Sequence, residues 1–485
     1  MDSILYWNNV ALEANREDFT VVPATGKPRL EQGGPTLSSR ALAIVHLAMY
    51  DAFAGISKTP GPLPPYLPGL PVPPAGAGLD AAVAAAAFDT LSALYPAQLP
   101  AFTNALAAAA IPVAGKATGT TFGKQVAAAI LADRAADPPA TDVGYMAPVH
   151  AAAHQPDPEA GSSTPQGFHA PFYGGMAKCF AVQARHGLAS PPLPGDSDYI
   201  SALKEVRGKG IAPELMGTVP NGYPKRTATE TLIGLYWGYD GANKLGTPPR
   251  LYNLVVREVA KARGNSPAQN ARLFALVNTA MADAGILAWD QKYFHNVWRP
   301  VVGVRQHDTS TGPLATPGSV VDGDCDPGWI PMGAPNSNKS GAKNGTPPFP
   351  AYPSGHATFG AAAFQITRRF YGIDKDNTGP DNLFDGMSFV SEEINGVTTD
   401  NNGNIRPRHV RNFPDGLWQM IEENGRSRVY LGVHWVFDAF AVDGNNQIDL
   451  TRNIGGVPLG LKIANDIFGA SREAGLKKST VGPRL

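Results

Sequence analysis

An all-α fold is predicted for this 485-residue chain. Two observations lead there. Ten stretches carry apolar residues at helical spacing with little β-alternation, and the 45 prolines and 53 glycines gather in the connectors. In order, the periodic stretches are residues 38–55, 80–94, 97–110, 119–136, 227–239, 251–263, 268–298, 357–371, 415–438 and 458–468. In each, apolar positions recur every three to four residues, the period that lines one helix face. The connectors 59–78, 137–194 and 311–353 are long, proline- and glycine-rich loops of the kind that wrap a surface or carry function. No repeat of fixed period is present. The 137–194 connector separates two clusters of helices, which sets the expected division at 1–194 and 195–485.

The composition excludes several roles. With 40 basic and 41 acidic residues the net charge is −1, so neither nucleic acid nor an anionic membrane surface is indicated as partner. The N-terminal residues Met1 to Asn8 contain no basic region and no uninterrupted apolar stretch, so this chain is expected to carry no signal peptide, or to have had it removed. No uninterrupted apolar run of membrane-spanning length is found, and even Ala81 to Ala87 lies between Asp80 and Asp89. A soluble protein is expected, secreted or cytoplasmic, of open oligomeric state. Two distant cysteines, Cys179 and Cys325, leave pairing open as well.

Chemistry concentrates in three segments. The first is Lys292-Tyr293-Phe294-His295-Asn296-Val297-Trp298-Arg299-Pro300, the second Pro353-Ser354-Gly355-His356, and the third Ser427-Arg428 followed by His434 and Asp438. Together they offer three cations, a hydroxyl, a glycine amide and two imidazoles. Guanidinium and ammonium donors form charge-assisted hydrogen bonds, and glycine lets a bare amide approach closely, so the set suits a highly charged tetrahedral oxyanion. One imidazole can serve as ligand or nucleophile and the other as proton carrier. Lys292 and Arg299 are seven residues apart, which places them on one face of a continuous helix, two turns from each other. Ser354, Gly355 and His356 precede the alanine- and phenylalanine-rich run 357–371, at a helix N-terminus that favours an anion. His434 and Asp438 are spaced i, i+4, so the carboxylate can orient the imidazole and raise the basicity of its other nitrogen.

The pattern Lys-x6-Arg-Pro, Pro-Ser-Gly-His and Ser-Arg-x5-His-x3-Asp resembles, without a missing residue, the signature shared by vanadium-dependent haloperoxidases and type 2 phosphatidic acid phosphatases. The interval between His356 and Ser427 is long for that signature and requires an insertion. Outside the signature, the segments at 234–241, 246–250, 270–285 and 347–352 resemble the fungal chloroperoxidase branch, and so do Tyr6-Trp7-Asn8-Asn9 and 169–174. The likeness covers nearly the whole chain, apart from a segment that the fungal branch inserts before its C-terminal helix.

The resemblance implies two four-helix bundles with the active site in the second and the first as scaffold. It implies vanadate as cofactor, with Lys292, Arg299, Ser354, the amide of Gly355 and Arg428 binding its oxygens and His434 as the protein ligand to vanadium. His356 is then the acid–base residue, Asp240 the carboxylate that braces the arginines, and Trp289 and Phe349 the halide side of the site. Phenylalanine at 349, where bromide-preferring relatives often have histidine, leans towards chloride. The activity implied is oxidation of chloride or bromide by hydrogen peroxide, through a side-on peroxovanadate that Lys292 polarises. Hypohalous acid results, and either diffuses away or halogenates an organic substrate. Pentavalent vanadium would act as a Lewis acid without redox cycling. Few thiols would be exposed to the oxidant.

Two other classes are weighed beside it. A soluble acid phosphatase could use the same cations, with His434 as nucleophile and His356 as leaving-group acid, because vanadate mimics the five-coordinate state of phosphoryl transfer. A non-catalytic helical scaffold or peptide-binding protein is the third. Trp289, Phe349 and the 311–353 loop, which is expected to wall the entrance, favour the haloperoxidase. The remaining histidines, His46, His150, His154, His169, His186, His295, His307 and His409, are read as structural or surface residues, with His295 the one near enough to Lys292 to touch a pocket rim. Asp374, Asp376, Thr378, Gly379 and Asp385 fit a calcium-loop spacing, but the final glutamate is replaced and a solvated loop is the better reading.

Overall fold

Helices make up the framework that the apolar periodicity predicts. The computed structural model describes residues 2–57, 63–159, 168–471 and 475–484. Among them, the α-helices in chain order are α1 (Ser3–Asp18), α2 (Gly34–Ile56), α3 (Leu79–Leu94), α4 (Leu99–Ala108), α5 (Lys116–Asp133), α6 (Tyr173–Met176), α7 (Ser197–Lys209) and α8 (Ala228–Tyr236). They continue with α9 (Pro248–Ala262), α10 (Pro267–His295), α11 (Pro300–Arg305), α12 (Gly355–Phe370), α13 (Gly416–Tyr430), α14 (Val436–Ala439) and α15 (Gly456–Ala470). Strand structure is confined, among the described residues, to two short antiparallel pairs. Ser388–Phe389 pairs with Arg411–Asn412, and Ala441–Val442 with Ile448–Asp449. Parts of two expected connectors, residues 59–62 and 160–167, lie outside the described residues.

Two stretches expected as single helices are broken, and the breaks shape the site. The stretch 268–298 ends at His295, where Asn296 turns left-handed at φ +51°. Arg299 is extended and caps α11, because Pro300 disfavours the helical region for the residue before it. Lys292 and Arg299 therefore do not share a helix face. The stretch 415–438 stops at Tyr430, and Gly432 takes φ +71° where a Cβ would lie 2.3 Å from the carbonyl oxygen of Gly210.

The longer helices α1 and α7 escape the periodicity, as do the short α6 and α11. In α1 the residues Asn8, Asn15 and Asp18 are fully buried, so polar residues interrupt its inward face. Asn8 meets His46 at 2.8 Å, Asn15 donates to Ser38, and Asp18 accepts from the amides of Glu31 and Gln32. The helix start was legible in Asp2, whose carboxylate accepts from the amides of Ile4 and Leu5.

Helix α10 occupies the centre, packing against both α2 and α12, while α12 packs against α13 and α15. Close approach of α15 requires glycine, since a Cβ at Gly456 or Gly460 would come within 2.5 Å of the carbonyl oxygen of Ser354 or Thr358. By length and composition α10 is apolar enough to cross a membrane, yet 94% of its most apolar window is buried inside the protein. Its one fully buried carboxylate before the final turns, Asp283, accepts from the amides of Phe180, Ala181 and Val182 at 2.5, 2.8 and 2.9 Å. Those bonds tie the 180–182 segment to the central helix.

Replacing Asp283 by alanine leaves three buried amides without an acceptor and is expected to destabilise the protein by at least about 3 kcal/mol. Urea unfolding checks this, and Asp283→Asn, which keeps an acceptor oxygen, should lose less.

Candidate active site

The two chain breaks at Asn296 and Gly432 help bring the three signature segments to one place. Lys292 lies in the last turn of α10, fully buried, and its ammonium donates to the carbonyls of Pro350, Ala351 and Pro353 at 2.8, 3.0 and 2.5 Å. Its three protons are thereby taken, so it enters the site as fixed charge. Burial, reinforced by Arg299, pushes its pKa well below the usual lysine value, against which the three carbonyl acceptors hold the ammonium form.

Arg299 donates through Nε to the carbonyl of Phe349 at 2.8 Å and through Nη1 to the carbonyl of Val433 at 2.9 Å. The same Nη1 lies 2.9 Å from Nε2 of His434. A guanidinium only donates, so Nε2 is the acceptor and the His434 proton sits on Nδ1. That nitrogen is 2.8 Å from Oδ2 of Asp438, which also accepts from the Trp435 amide at 3.0 Å. Burial first, then Arg299, Lys292 and Arg428, hold His434 well below the ordinary imidazole pKa. The site thus keeps a neutral imidazole whose Nε2 lone pair faces cations.

Ser354 caps α12, its Oγ accepting from the Ala357 amide at 3.4 Å and its own amide donating to the carbonyl of Asp438 at 2.8 Å. Gly355 opens the helix, where amides have no intrahelical partner. A Cβ there would make only ordinary contact with the Trp289 ring at 3.5 Å, so the protein's packing does not demand glycine; the bare amide leaves that space to a ligand. Arg428, in the last turn of α13, donates from Nη2 to Oδ1 of Asp240 at 2.6 Å. His356 donates from Nε2 to the carbonyl of Gly238 at 2.7 Å and stands 4.0 Å from Asp240. Burial, then Arg428, lower its pKa to about 4.

A cavity of about 400 Å³ opens over this cluster. His356, Arg428, His434 and Asp240 line it together with Trp289 and Phe349, whose rings lie 4.8 Å apart. The expected loop wall is present in Ala334 to Asn336 and Gly345 to Phe349. Lys292, Arg299 and Ser354 are not among the lining residues; they sit behind it, within the cluster.

Three buried donors of the cluster have no acceptor among the described residues: Nη2 of Arg299 and Nε and Nη1 of Arg428. Leaving a buried charged donor unpaired costs about 1–3 kcal/mol or more each, so the cluster favours an acceptor-rich anion beside it. A tetrahedral oxyanion has the oxygens to satisfy all three, and vanadate and phosphate both fit that donor set.

Sequence reasoning set His169 aside, but it lines the cavity. Its ring lies 6.2 Å from both Trp289 and Phe349, and its carbonyl accepts from Trp289 Nε1 and Tyr293 Oη. The signal available was its place in the 169–174 segment of the resemblance. Phe19, Gly34 and Pro35 line the cavity as well, so the first 194 residues supply part of its wall. His295 does not reach the cavity and packs on Tyr352 at 5.0 Å. His46 bonds the carbonyl of Leu42, His186 pairs with Asp466, and His307 stacks on Tyr199. In the 374–385 loop, Asp374 and Asn377 accept from local amides in tight turns. No cluster of three or more metal-ligating side chains occurs among the described residues. Cys179 and Cys325 are both buried and unpaired.

Comparisons with known proteins agree with this geometry. The chain matches the vanadium chloroperoxidase N-terminal domain over residues 1–179 and the second helical-bundle domain of the same family over 272–455. It belongs to the vanadium-dependent haloperoxidase family. It is 36% identical to the vanadium chloroperoxidase of Curvularia inaequalis, over 96% of this chain and 89% of that protein. Among solved structures, a bacterial vanadium-dependent iodoperoxidase shares the fold at TM-score 0.60 and 18% identity, with 96% of each chain covered. A holo-type bacterial vanadium-dependent chloroperoxidase does so at TM-score 0.59 and 16% identity, over 91% of this chain and 93% of that one.

The imidazole of His356 is expected to titrate near pH 4 by 15N NMR of the protein without added anion. Because the Asp240 carboxylate favours the imidazolium, Asp240→Asn should move that midpoint lower still. The folded pKa lies below the roughly 6.5 of an unfolded histidine, so the stability this group contributes is present above about pH 6.5 and is lost as pH falls towards 4. A His356→Gln variant should lose that part of the acid sensitivity in urea titrations at pH 7 and pH 4.5.

Proposed function

We propose that this protein binds vanadate at the Arg299–Arg428–His434 cluster and oxidises chloride and bromide with hydrogen peroxide. The observation that carries the reading is the set of three buried, unpartnered guanidinium donors beside a neutral imidazole whose Nε2 lone pair meets Arg299. Arg299, Arg428, Ser354 and the Gly355 amide would bind the oxygens, and His434 Nε2 would be the ligand to vanadium. Bound vanadate would supply Lewis-acid activation of peroxide while staying pentavalent.

The chain's own residues supply the rest. His356 donates its Nε2 proton to the Gly238 carbonyl, so Nδ1 is the ring's basic nitrogen and takes the proton that peroxide gives up on binding. The fixed charge of Lys292 stabilises negative charge that develops on the peroxide oxygens. Trp289 and Phe349 form an apolar wall that admits a weakly hydrated halide and excludes water from the polarised oxygen. Overall, hydrogen peroxide, a halide ion and one proton become hypohalous acid and water. The two electrons leave the halide, and the peroxide O–O bond breaks. Residues 195–485 carry the anion-binding groups, and residues 1–194 act as scaffold and one wall of the cavity.

Purified apoprotein should halogenate a chlorinatable dye with peroxide and chloride only after orthovanadate is added, and His434→Ala should abolish this turnover. Activity with bromide alone makes the protein a bromoperoxidase. Vanadate-inhibited phosphate release without halogenation would establish the acid phosphatase instead, with His434 as nucleophile. Arg428→Met, which removes charge-assisted bonds worth about 1.5–3 kcal/mol, should raise the orthovanadate Kd roughly 10- to 100-fold by equilibrium titration.

A further inference from the structure

Residues 371–415, inserted between α12 and α13, hold none of the groups assigned above to the anion. They reach the site indirectly, through the turn Gly238-Tyr239-Asp240. That turn supplies the carbonyl on which His356 rests and the carboxylate that holds Arg428. Its middle residue, Tyr239, adopts φ +55°, a left-handed conformation that a bulky side chain keeps only where its surroundings impose it.

We propose that Glu393, backed by Glu392, is a positioning residue for His356 and Asp240: the inserted segment clamps the left-handed turn at Tyr239 and so sets the Gly238 carbonyl that fixes the His356 tautomer. This rests on the function proposed above only for its catalytic consequence. Glu393 is fully buried, and its Oε1 accepts from the Tyr239 amide at 3.0 Å. Its Oε2 is held by the Ser337 hydroxyl and by Arg406 at 2.8 Å. A Cβ at position 238 would meet Glu393 Oε1 at 2.6 Å, so Gly238 is what lets the carboxylate come this close. From the other side, Glu392 accepts from the Tyr239 hydroxyl at 3.2 Å, while the Glu392 amide donates to that same oxygen at 2.9 Å. Glu392 is in turn gripped by both terminal nitrogens of the buried Arg250. The amide and the hydroxyl of Tyr239 are therefore both tied to the insertion. With the turn fixed, the Gly238 carbonyl selects the Nε2–H tautomer of His356 and leaves Nδ1 as base.

The test uses the full-length chain labelled with 15N-histidine, the His356→Gln spectrum assigning the His356 Nε2–H resonance. In the wild type that proton is expected to be protected from exchange. Glu393→Asp withdraws the acceptor from the Tyr239 amide while keeping the charge beside Arg406; it should broaden or abolish the resonance and lower vanadate-dependent kcat at least 10-fold, with the halide KM within about 2-fold. If Glu393→Asp fails to fold, the isosteric Tyr239→Phe carries the test: loss of the two hydroxyl bonds to Glu392 should weaken the resonance and lower kcat about 3-fold. An unchanged resonance and kcat in folded Glu393→Asp, or in Tyr239→Phe, overturns the proposal. Absence of any halide turnover in the wild type would sink the functional reading but not the clamp, because the resonance is read without turnover.

Discussion

Buried positive charge is the constraint around which the rest of this protein is arranged. Lys292, Arg299 and Arg428 are each fully buried within one cluster, where water cannot screen their mutual repulsion. The surrounding chain answers each cation separately. Lys292 receives three carbonyls from the 350–353 segment, Arg428 receives Asp240, and Arg299 receives two carbonyls and the lone pair of His434. None of these answers completes the two guanidiniums. The remaining demand is for an anion with several oxygens, and it explains why the α12 N-terminus and its bare amide face the same cluster.

Much of this could be read from residue order, because the chemistry of an oxyanion site resides in residue types that rarely occur together. Ser354 as a helix cap and the helical character of ten stretches follow from local rules that the fold does not override, whereas the His434–Asp438 contact forms with His434 outside a helix, where Asp438 also caps the start of α14. What misled was continuity. Apolar periodicity carries through 268–298 although Pro300 forces Arg299 out of the helix, and it carries through 415–438 although Gly432 turns the chain. The proline was visible as a breaker; the glycine's role depended on Gly210, more than two hundred residues earlier, and could not be read locally.

Buried polar groups account for the other gap. The inward face of α1 mixes Ile4, Trp7, Ala11 and Leu12 with Asn8, Asn15 and Asp18, whose partners include residues 32, 38, 46 and 253, and those buried polar residues interrupt the apolar periodicity of an interior helix. The same holds for His169, which looks like an ordinary loop histidine until its carbonyl is found holding the indole and phenol of α10. Long-range satisfaction of hydrogen bonds is a property of the assembled chain, and single-sequence patterns do not contain it.

The central position of α10 also bears on how the chain is made. Its partners α2 and α12 lie on opposite sides of it in sequence. On the ribosome, α2 is already available when α10 emerges, but α12 is not synthesised until residues 296–354 have followed. For that interval the long, almost wholly buried helix α10 presents an uncovered stripe to the surroundings, and exposed apolar surface that waits for distant contacts is prone to aggregate. The proline- and glycine-rich span that later walls the cavity is therefore also a delay in biosynthesis, during which a nascent-chain chaperone would find its clearest target on α10.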